Sequence, residues 1–247
     1  LLWRSRVVWS LCREASVEAR GTDVIRPRRL LSWNCRVGRP APIVIAGLWF
    51  FIRTRRPHVI VLLEATRLTS DLRKVFGKGW HVYRRRSDVV VLVRRDVDRP
   101  NVSVIGHEES WRGPHEGIEH RGRKFLQLDW PGLSLLAIHR VPGGPSGGVS
   151  PRLSGANRGA WLAENQLLAD ALGVDSRPVV IVGDQNARPV EVHPFMARHN
   201  LHPIITGAKV DWAMVRGITG RGKRLGRRGS DHPACLYVLT KPKEKKP

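Results

Sequence analysis

Acidic side chains are scarce in this sequence: 21 Asp and Glu stand against 43 Lys and Arg, a formal net charge of +22. A field of that size draws polyanions, so nucleic acid is the first partner it implies and an anionic membrane surface the second. Cysteine is scarcer still. Only Cys12, Cys35 and Cys235 occur, widely spaced and with no CxxC pair, which argues against a disulfide scaffold and against a zinc site. Cys35 and Cys235 lie in apolar stretches and read as buried structural thiols, suited to a reducing, cytoplasmic setting. Long apolar runs are missing too. Ile43 to Ile52 is the nearest to one, but it is short and closely followed by Arg53, Arg55 and Arg56, so integral membrane association is not expected. Arg4 and Arg6 break the apolar start of the chain, and no signal peptide is legible there. No obligate protein partner is evident either. What remains is enough: 247 residues can bury a full core without disulfides or a structural metal.

The chain reads as alternating strands and helices. Leu30 to Asn34 (LLSWN) is a short apolar strand ending in an amide, followed by a turn-rich loop whose Arg36 is a candidate nucleic-acid contact. Ile43 to Ile52 has the length of a buried helix, and His58 to Ala65 (HVIVLLEA) is a strand with Glu64 near its end. Asp71 to Phe76 reads as a short amphipathic helix, and Trp80 to Tyr83 and Val89 to Val93 read as strands. Residues 106–123 are polar and read as a loop near a substrate path. Their His107, His115 and His120, beside several Glu, offer a weak alternative metal site. A hairpin of Lys124 to Asp129 and Leu133 to Ile138 delivers His139 at its end, and a helix over Arg158 to Leu172 crosses to the next strand. Lys209 to Val215 is a strand with Asp211 inside it, an acid that needs a partner among apolar neighbours. Residues 216–229 are rich in Gly and Arg and read as a flexible cationic loop in which Arg224, Arg227 and Arg228 suit phosphates.

The most informative stretch is Arg177 to Pro189, RPVVIVGDQNARP. Four β-branched residues form a strand buried on both faces. Asp184 and Asn186 stand immediately past it, where ligands and catalytic groups of α/β folds collect. A strand followed by an Asx turn would use the same residues without any chemistry. The later SDHPACLYVL places Ser230, Asp231 and His232 just before another strand. Asn34, Glu64, His139, Asp184 with Asn186, Asp211, and Asp231 with His232 thus all fall at or near strand ends. Phosphodiester hydrolysis asks for such a set: charge neutralisation on the phosphoryl oxygens, an activated water and help for the leaving group.

In SWN, the LLEA strand end, AIH, VGDQN, VDWAMV and SDH, in that order, the chain resembles the endonuclease/exonuclease/phosphatase superfamily. The resemblance covers about Leu30 to Leu239. It implies an α/β four-layer sandwich, two packed mixed β-sheets flanked by helices, as a catalytic domain over residues 30–240. Residues 1–29 are then an N-terminal extension and residues 241–247 a basic tail. It also implies Mg²⁺ or Mn²⁺ dependence, with Asn34, Glu64 and Asp231 at positions that hold or orient the metal. Asp184 matches the residue that orients and deprotonates the attacking water, and Asn186 a stabiliser of the phosphoryl oxygens. His232 matches the catalytic histidine, Asp211 the acid that orients it, and His139 the histidine that helps the leaving group in deoxyribonuclease-like members. Two departures stand out. Arg36 occupies the place of a second acid in several relatives, and Leu63 that of a Gln. The interval between Asp184 and Asp231 is also shorter than in the family's nucleases. The charge favours a nuclease acting on DNA or RNA. A phosphatase of inositol phosphates or another small phosphoester is the alternative on the same fold. A nucleic-acid-binding relic is the non-enzymatic one.

Overall fold

The computed structural model describes residues 27–35, 40–84, 87–112, 119–142, 157–173, 177–228 and 230–240. Arg36, Cys12, His115 and both ends of the chain lie outside these residues. Twelve strands form two six-stranded sheets, and four α-helices flank them among the described residues. The expected α/β sandwich is the fold observed.

The first sheet has the order β11-β12-β1-β2-β4-β3. Its strands are β1 (Arg29–Asn34), β2 (Val59–Leu63), β3 (Trp80–Tyr83), β4 (Val89–Arg94), β11 (Thr219–Arg224) and β12 (Cys235–Thr240). The second has the order β5-β6-β7-β8-β10-β9, with β5 (Asn101–Arg112), β6 (Glu119–Trp130), β7 (Leu133–His139), β8 (Val179–Asp184), β9 (His202–Ile204) and β10 (Asp211–Arg216). Strands such as VIVLL and VVIVGD are buried at every position, so each must be covered on both faces. Val59, Val61 and Leu63 point between the sheets and meet Leu135, Ala137, Val180 and Val182 from the other side. The alternate residues point outward. Ile60 and Leu62 pack on Val44, Leu48 and Phe51 of α1 (Ala41–Arg55) and on Leu72 and Phe76 of α2 (Thr69–Phe76). Leu136, Ile138 and Ile181 pack on Leu168 and Leu172 of α3 (Arg158–Gly173) and on Val192 and Met196 of α4 (Pro189–Arg198). Each such side chain, fully buried, contributes about 1.5–3 kcal/mol.

Two expectations are corrected. The described part of residues 106–123 is not an irregular loop: residues 106–112 of β5 pair antiparallel with residues 119–124 of β6, with a bulge between His107 and Ser110, and residues 113–118 lie outside the described residues. Residues 216–229 are not all loop either, because Thr219–Arg224 pairs antiparallel with β12 as an edge strand. Neither segment has the apolar alternation that marks a half-buried strand. Cross-strand backbone hydrogen bonds supply the order that side-chain patterning does not announce.

One parallel pair in each sheet sets where the chemistry sits. β1 runs parallel to β2 with Asn34 opposite Leu63, and β7 runs parallel to β8 with His139 opposite Asp184. All four strands therefore end at one edge. The antiparallel neighbours begin there: Asp211 opens β10 opposite Asp184, Val89 opens β4 opposite Leu63, and Cys235 opens β12 opposite Ser32.

Candidate active site

Strand register brings the predicted residues to one end of the sandwich. Asn34, the last residue of β1, is buried and donates through Nδ2 to Glu64 Oε1 at 3.1 Å and to Asp184 Oδ2 at 3.4 Å. These hydrogen bonds tie the first sheet to the second. Glu64 follows β2 with φ 57° and Asn186 follows Asp184 with φ 46°. Left-handed backbone is costly for a side chain such as Glu and collects at functional sites. Gly183, just before Asp184, has φ 144°, and a Cβ there would lie 1.8 Å from the Ile138 carbonyl oxygen. Only glycine lets β8 approach β7 this closely at the point where it delivers Asp184.

Asp184 is the hub. It is 2% exposed, and its Oδ1 accepts the Asn186 backbone N–H at 2.8 Å. That Asx turn leaves Oδ2 facing Asn34, His232 (Nδ1, 3.8 Å) and His139 (Nε2, 4.0 Å). Asn186 Nδ2 donates to the Arg140 carbonyl at 2.6 Å, which fixes the amide beside the cluster. Arg140 is itself locked. It is fully buried, its Nε lies 3.3 Å from Glu164 Oε2, and its guanidinium stacks 4.3 Å from the Trp161 ring.

Two imidazole–carboxylate pairs flank the hub. His232 Nδ1 lies 2.9 Å from Asp211 Oδ2. Burial works against a charged His232, but the hydrogen bond to Asp211 and the nearby Asp184 and Asp231 carboxylates outweigh it, and the pKa rises to about 9. Burial, then the Asp184 charge, pushes Asp211 up to about 6 despite the opposing pull of His232. The upward direction at His232 favours an imidazolium facing the Asp211 carboxylate. The second pair is one that sequence reasoning misses. His139 Nδ1 lies 2.7 Å from Asp88 Oδ2, and Arg123 Nη1 lies 2.9 Å from the same oxygen. Burial raises the Asp88 pKa, but Arg123 and His139 together hold it at about 2. Burial and Arg123 disfavour a charged His139. Asp88 and Asp184 favour it, and the net direction is upward. Arg123 Nε also donates to the His139 carbonyl at 2.8 Å. The one signal for Asp88 is a lone acid between a basic run and an apolar strand, whereas Arg123 reads in sequence as one more surface cation.

The loop before β12 is pinned by Ser230, whose hydroxyl donates to the Asn34 carbonyl at 2.6 Å and accepts the His232 backbone N–H at 3.1 Å. Asp231 beside it is exposed. Asn34, Glu64, His139, Asp184, Asn186, Asp211 and His232 are thus joined directly, and Asp231 joins them through Ser230. Among the described residues, the one group of three His, Cys, Asp or Glu whose ligand atoms are close enough to share an ion is Asp184, Asp211 and His232, within 4.8 Å. Of the alternative metal site around His107, His115 and Glu116 lie outside the described residues. The His107 side chain is buried against Glu164, 3.8 Å from its carboxylate, while Glu108 and Glu109 are exposed. Arg224 and Arg227 are exposed, Arg224 opposite Cys235 at the site end of β11, and Arg228 stacks 3.6 Å over the Phe50 ring of α1. Cys35 and Cys235 are free and buried, and burial raises both thiols, Cys235 to about 12. No described helix is long and apolar enough to cross a membrane.

No curated protein matches the chain significantly in sequence. Solved structures match it across nearly their whole length. A functionally unknown conserved protein from Enterococcus faecalis V583 has a TM-score of 0.60 at 14% identity, covering 86% of this chain and 99% of that one. D. rerio TDP2, complexed with single strand DNA product, has a TM-score of 0.58 at 15% identity, covering 86% and 98%. The 3'-5' exonuclease NExo from Neisseria meningitidis has a TM-score of 0.56 at 15% identity, covering 85% and 99%. At these identities the likeness is one of fold. The sequence model of the Endonuclease/Exonuclease/phosphatase family matches residues 31–232, a span that holds every residue of the cluster, and the chain belongs to that family.

Proposed function

We propose that the chain is a divalent-cation-dependent phosphodiesterase that hydrolyses nucleic acid, with DNA the first substrate. One observation carries this reading. A buried carboxylate (Asp184), a His232 held as a cation by Asp211, and the Asn34 and Glu64 pair meet at one edge of the two sheets. The net charge of +22 favours a polyanionic substrate over a small anion, which needs only a local pocket. The TDP2 structure solved with a DNA product supports DNA.

The donor set fits a hard cation. Glu64, with its side chain 24% exposed, and Asp231 offer carboxylate oxygens, Asn34 offers an amide oxygen, and Mg²⁺ or Mn²⁺ prefers such ligands. His232 fits poorly as a ligand, because its Nδ1 is committed to Asp211 and its proton is held to about 9. Glu64, Asn34 and Asp231 would therefore hold the ion, which when bound neutralises charge on the phosphoryl oxygens.

The protein's own groups divide the remaining work. Asp184, fixed through Oδ1 by the Asn186 N–H, keeps Oδ2 to orient the attacking water and take its proton. With Nδ1 bound to Asp211, His232 turns Nε2–H to a non-bridging oxygen, where a fixed cation stabilises the developing charge. Asn186 gives one amide N–H to the Arg140 carbonyl and has a second for the phosphoryl group. His139, braced by Asp88, is placed through Nε2 to help the departing oxygen.

The test is a substrate comparison in Mg²⁺ and in EDTA. Supercoiled plasmid and single-stranded DNA are assayed beside phosphate release from inositol phosphates. Mg²⁺-dependent DNA cleavage with no phosphate release is expected. Release from inositol phosphates without DNA cleavage would make the chain a small-phosphoester phosphatase instead.

A further inference from the structure

A surface cavity of about 430 Å³ is lined by Arg67, Thr69, Ser70, Arg73 and Arg84. The three arginines are exposed, and no described acidic side chain pairs with any of them. Elsewhere on this surface arginines do find acids, as Arg94 finds Asp96 and Arg177 finds Asp129. Three guanidinium groups with no acidic partner among the described residues, and two hydroxyls, stand around one concavity and are arranged to receive an anion. A planar guanidinium fork matches phosphate oxygens. Asp71 lies in the same first turn of α2 but does not line the cavity.

The position of the cavity identifies the anion. Arg67 belongs to the single 3-10 turn, Thr66–Leu68, that follows Glu64 and Ala65. Arg84 follows β3 shortly before Asp88, the partner of His139. Chain segments this short span at most about 3.3–3.6 Å per residue, so both walls stay within roughly 10–14 Å of site residues. Successive phosphates of one strand lie about 3.4 Å apart along a duplex axis. We infer that Arg67, Arg73 and Arg84 form a phosphate-binding subsite that holds the nucleic-acid backbone a few nucleotides from the phosphate being cleaved. This assignment rests on the nuclease reading above and adds to it where the strand runs: along α2 and the end of β3.

Binding is measured by fluorescence anisotropy across a salt series with a labelled 24-nucleotide DNA, in an Asp184→Asn background that leaves these residues intact. The pocket triple Arg67→Ala, Arg73→Ala, Arg84→Ala is compared with a surface triple of equal charge change, Lys78→Ala, Arg158→Ala, Arg198→Ala. The pocket triple is expected to weaken binding about tenfold or more near 0.1 M salt, with the salt slope falling by about 0.7–0.9 for each phosphate that is no longer neutralised. The surface triple should weaken it less than about threefold. The corresponding Arg→Lys triple keeps the charges and should keep the slope, which excludes misfolding as the cause. A dinucleotide, too short to reach the cavity, should bind the pocket triple and its parent alike. Equal weakening in the two Ala triples would mean that general charge, not this pocket, holds the strand. If the wild-type protein cleaves DNA and the Ala triples match, only the subsite falls. If it neither binds nor cleaves DNA, the nuclease reading falls with it.

Discussion

In the proposed mechanism the chemistry turns on His232, whose buried partner Asp211 favours the cationic imidazole. The His232 pKa in the folded protein, about 9, exceeds the ordinary value of 6.5. Its contribution to stability is therefore fully present below pH 6.5 and is lost as pH rises through 9. Thermal unfolding of wild type and His232→Gln should accordingly converge between pH 6.5 and 10, and a gap that stays constant would contradict the pairing. Asp88 works in the opposite sense. Its carboxylate is held at about 2 by Arg123 and His139, so its contribution is present above pH 3.8 and is lost as pH falls toward 2. Asp88→Asn removes the charge that Arg123 and His139 share, and should cost about 1–3 kcal/mol in chemical denaturation, as for other charged hydrogen bonds. It should also lower turnover through His139, with plasmid nicking as the readout. Unchanged stability and rate together would make Asp88 a bystander. Most of the cluster is legible in the sequence as single residues, because Asn34, Glu64, Asp184, Asp211 and His232 sit at the ends of apolar runs, where a polar residue stands out. Asp88 and Arg123 are not. Their role comes from the approach of β6 to the turn before β4, and sequence carries no local trace of that pairing.

Elements aim these residues, and the aim depends on register. The parallel pairs end together because Asn34 stands opposite Leu63 and His139 opposite Asp184, while β2 and β8 are buried on both faces and lie inside their sheets. That burial follows from composition, and it is why the strands LLSWN, VIVLL and VVIVGD are recognisable. The strands that escape recognition are those whose order comes from a neighbour. TGRGKR has no large apolar side chain and is held by β12, and the distal part of the β5 and β6 hairpin is largely polar. Gly183 is where register meets the site. Gly183→Ala would drive a methyl against the Ile138 carbonyl at a φ that alanine avoids. Overpacking and backbone strain together should destabilise the protein by about 2–4 kcal/mol and displace Asp184. Urea unfolding reads the first effect and nicking rate the second. A variant as stable and active as wild type would mean that β8 can retreat from β7 freely.

On the scale of the whole molecule, the proposed function joins the net charge of +22 and the cluster at one sheet edge into one account: a cationic surface that draws the strand and a site that cleaves it. The surface should bind DNA without cleaving it, with affinity falling steeply as salt rises. Binding and turnover are therefore separable by mutation. Asp184→Asn and His232→Ala should each lose most turnover while keeping DNA affinity. Asp211→Asn should lose less than His232→Ala, because the imidazole remains and only its orientation and proton affinity change. The double variant of Asp184 and His232 should be little worse than either single one, since groups acting as a unit are not additive. The most direct measurement is nicking of supercoiled plasmid by wild type, Asp184→Asn and His232→Ala purified side by side, in Mg²⁺ and again after EDTA. Cleavage by wild type in Mg²⁺ only, with both variants slower by about 10²–10⁴-fold, is the predicted result. Full activity in EDTA, or a His232→Ala protein that nicks at the wild-type rate, would contradict it.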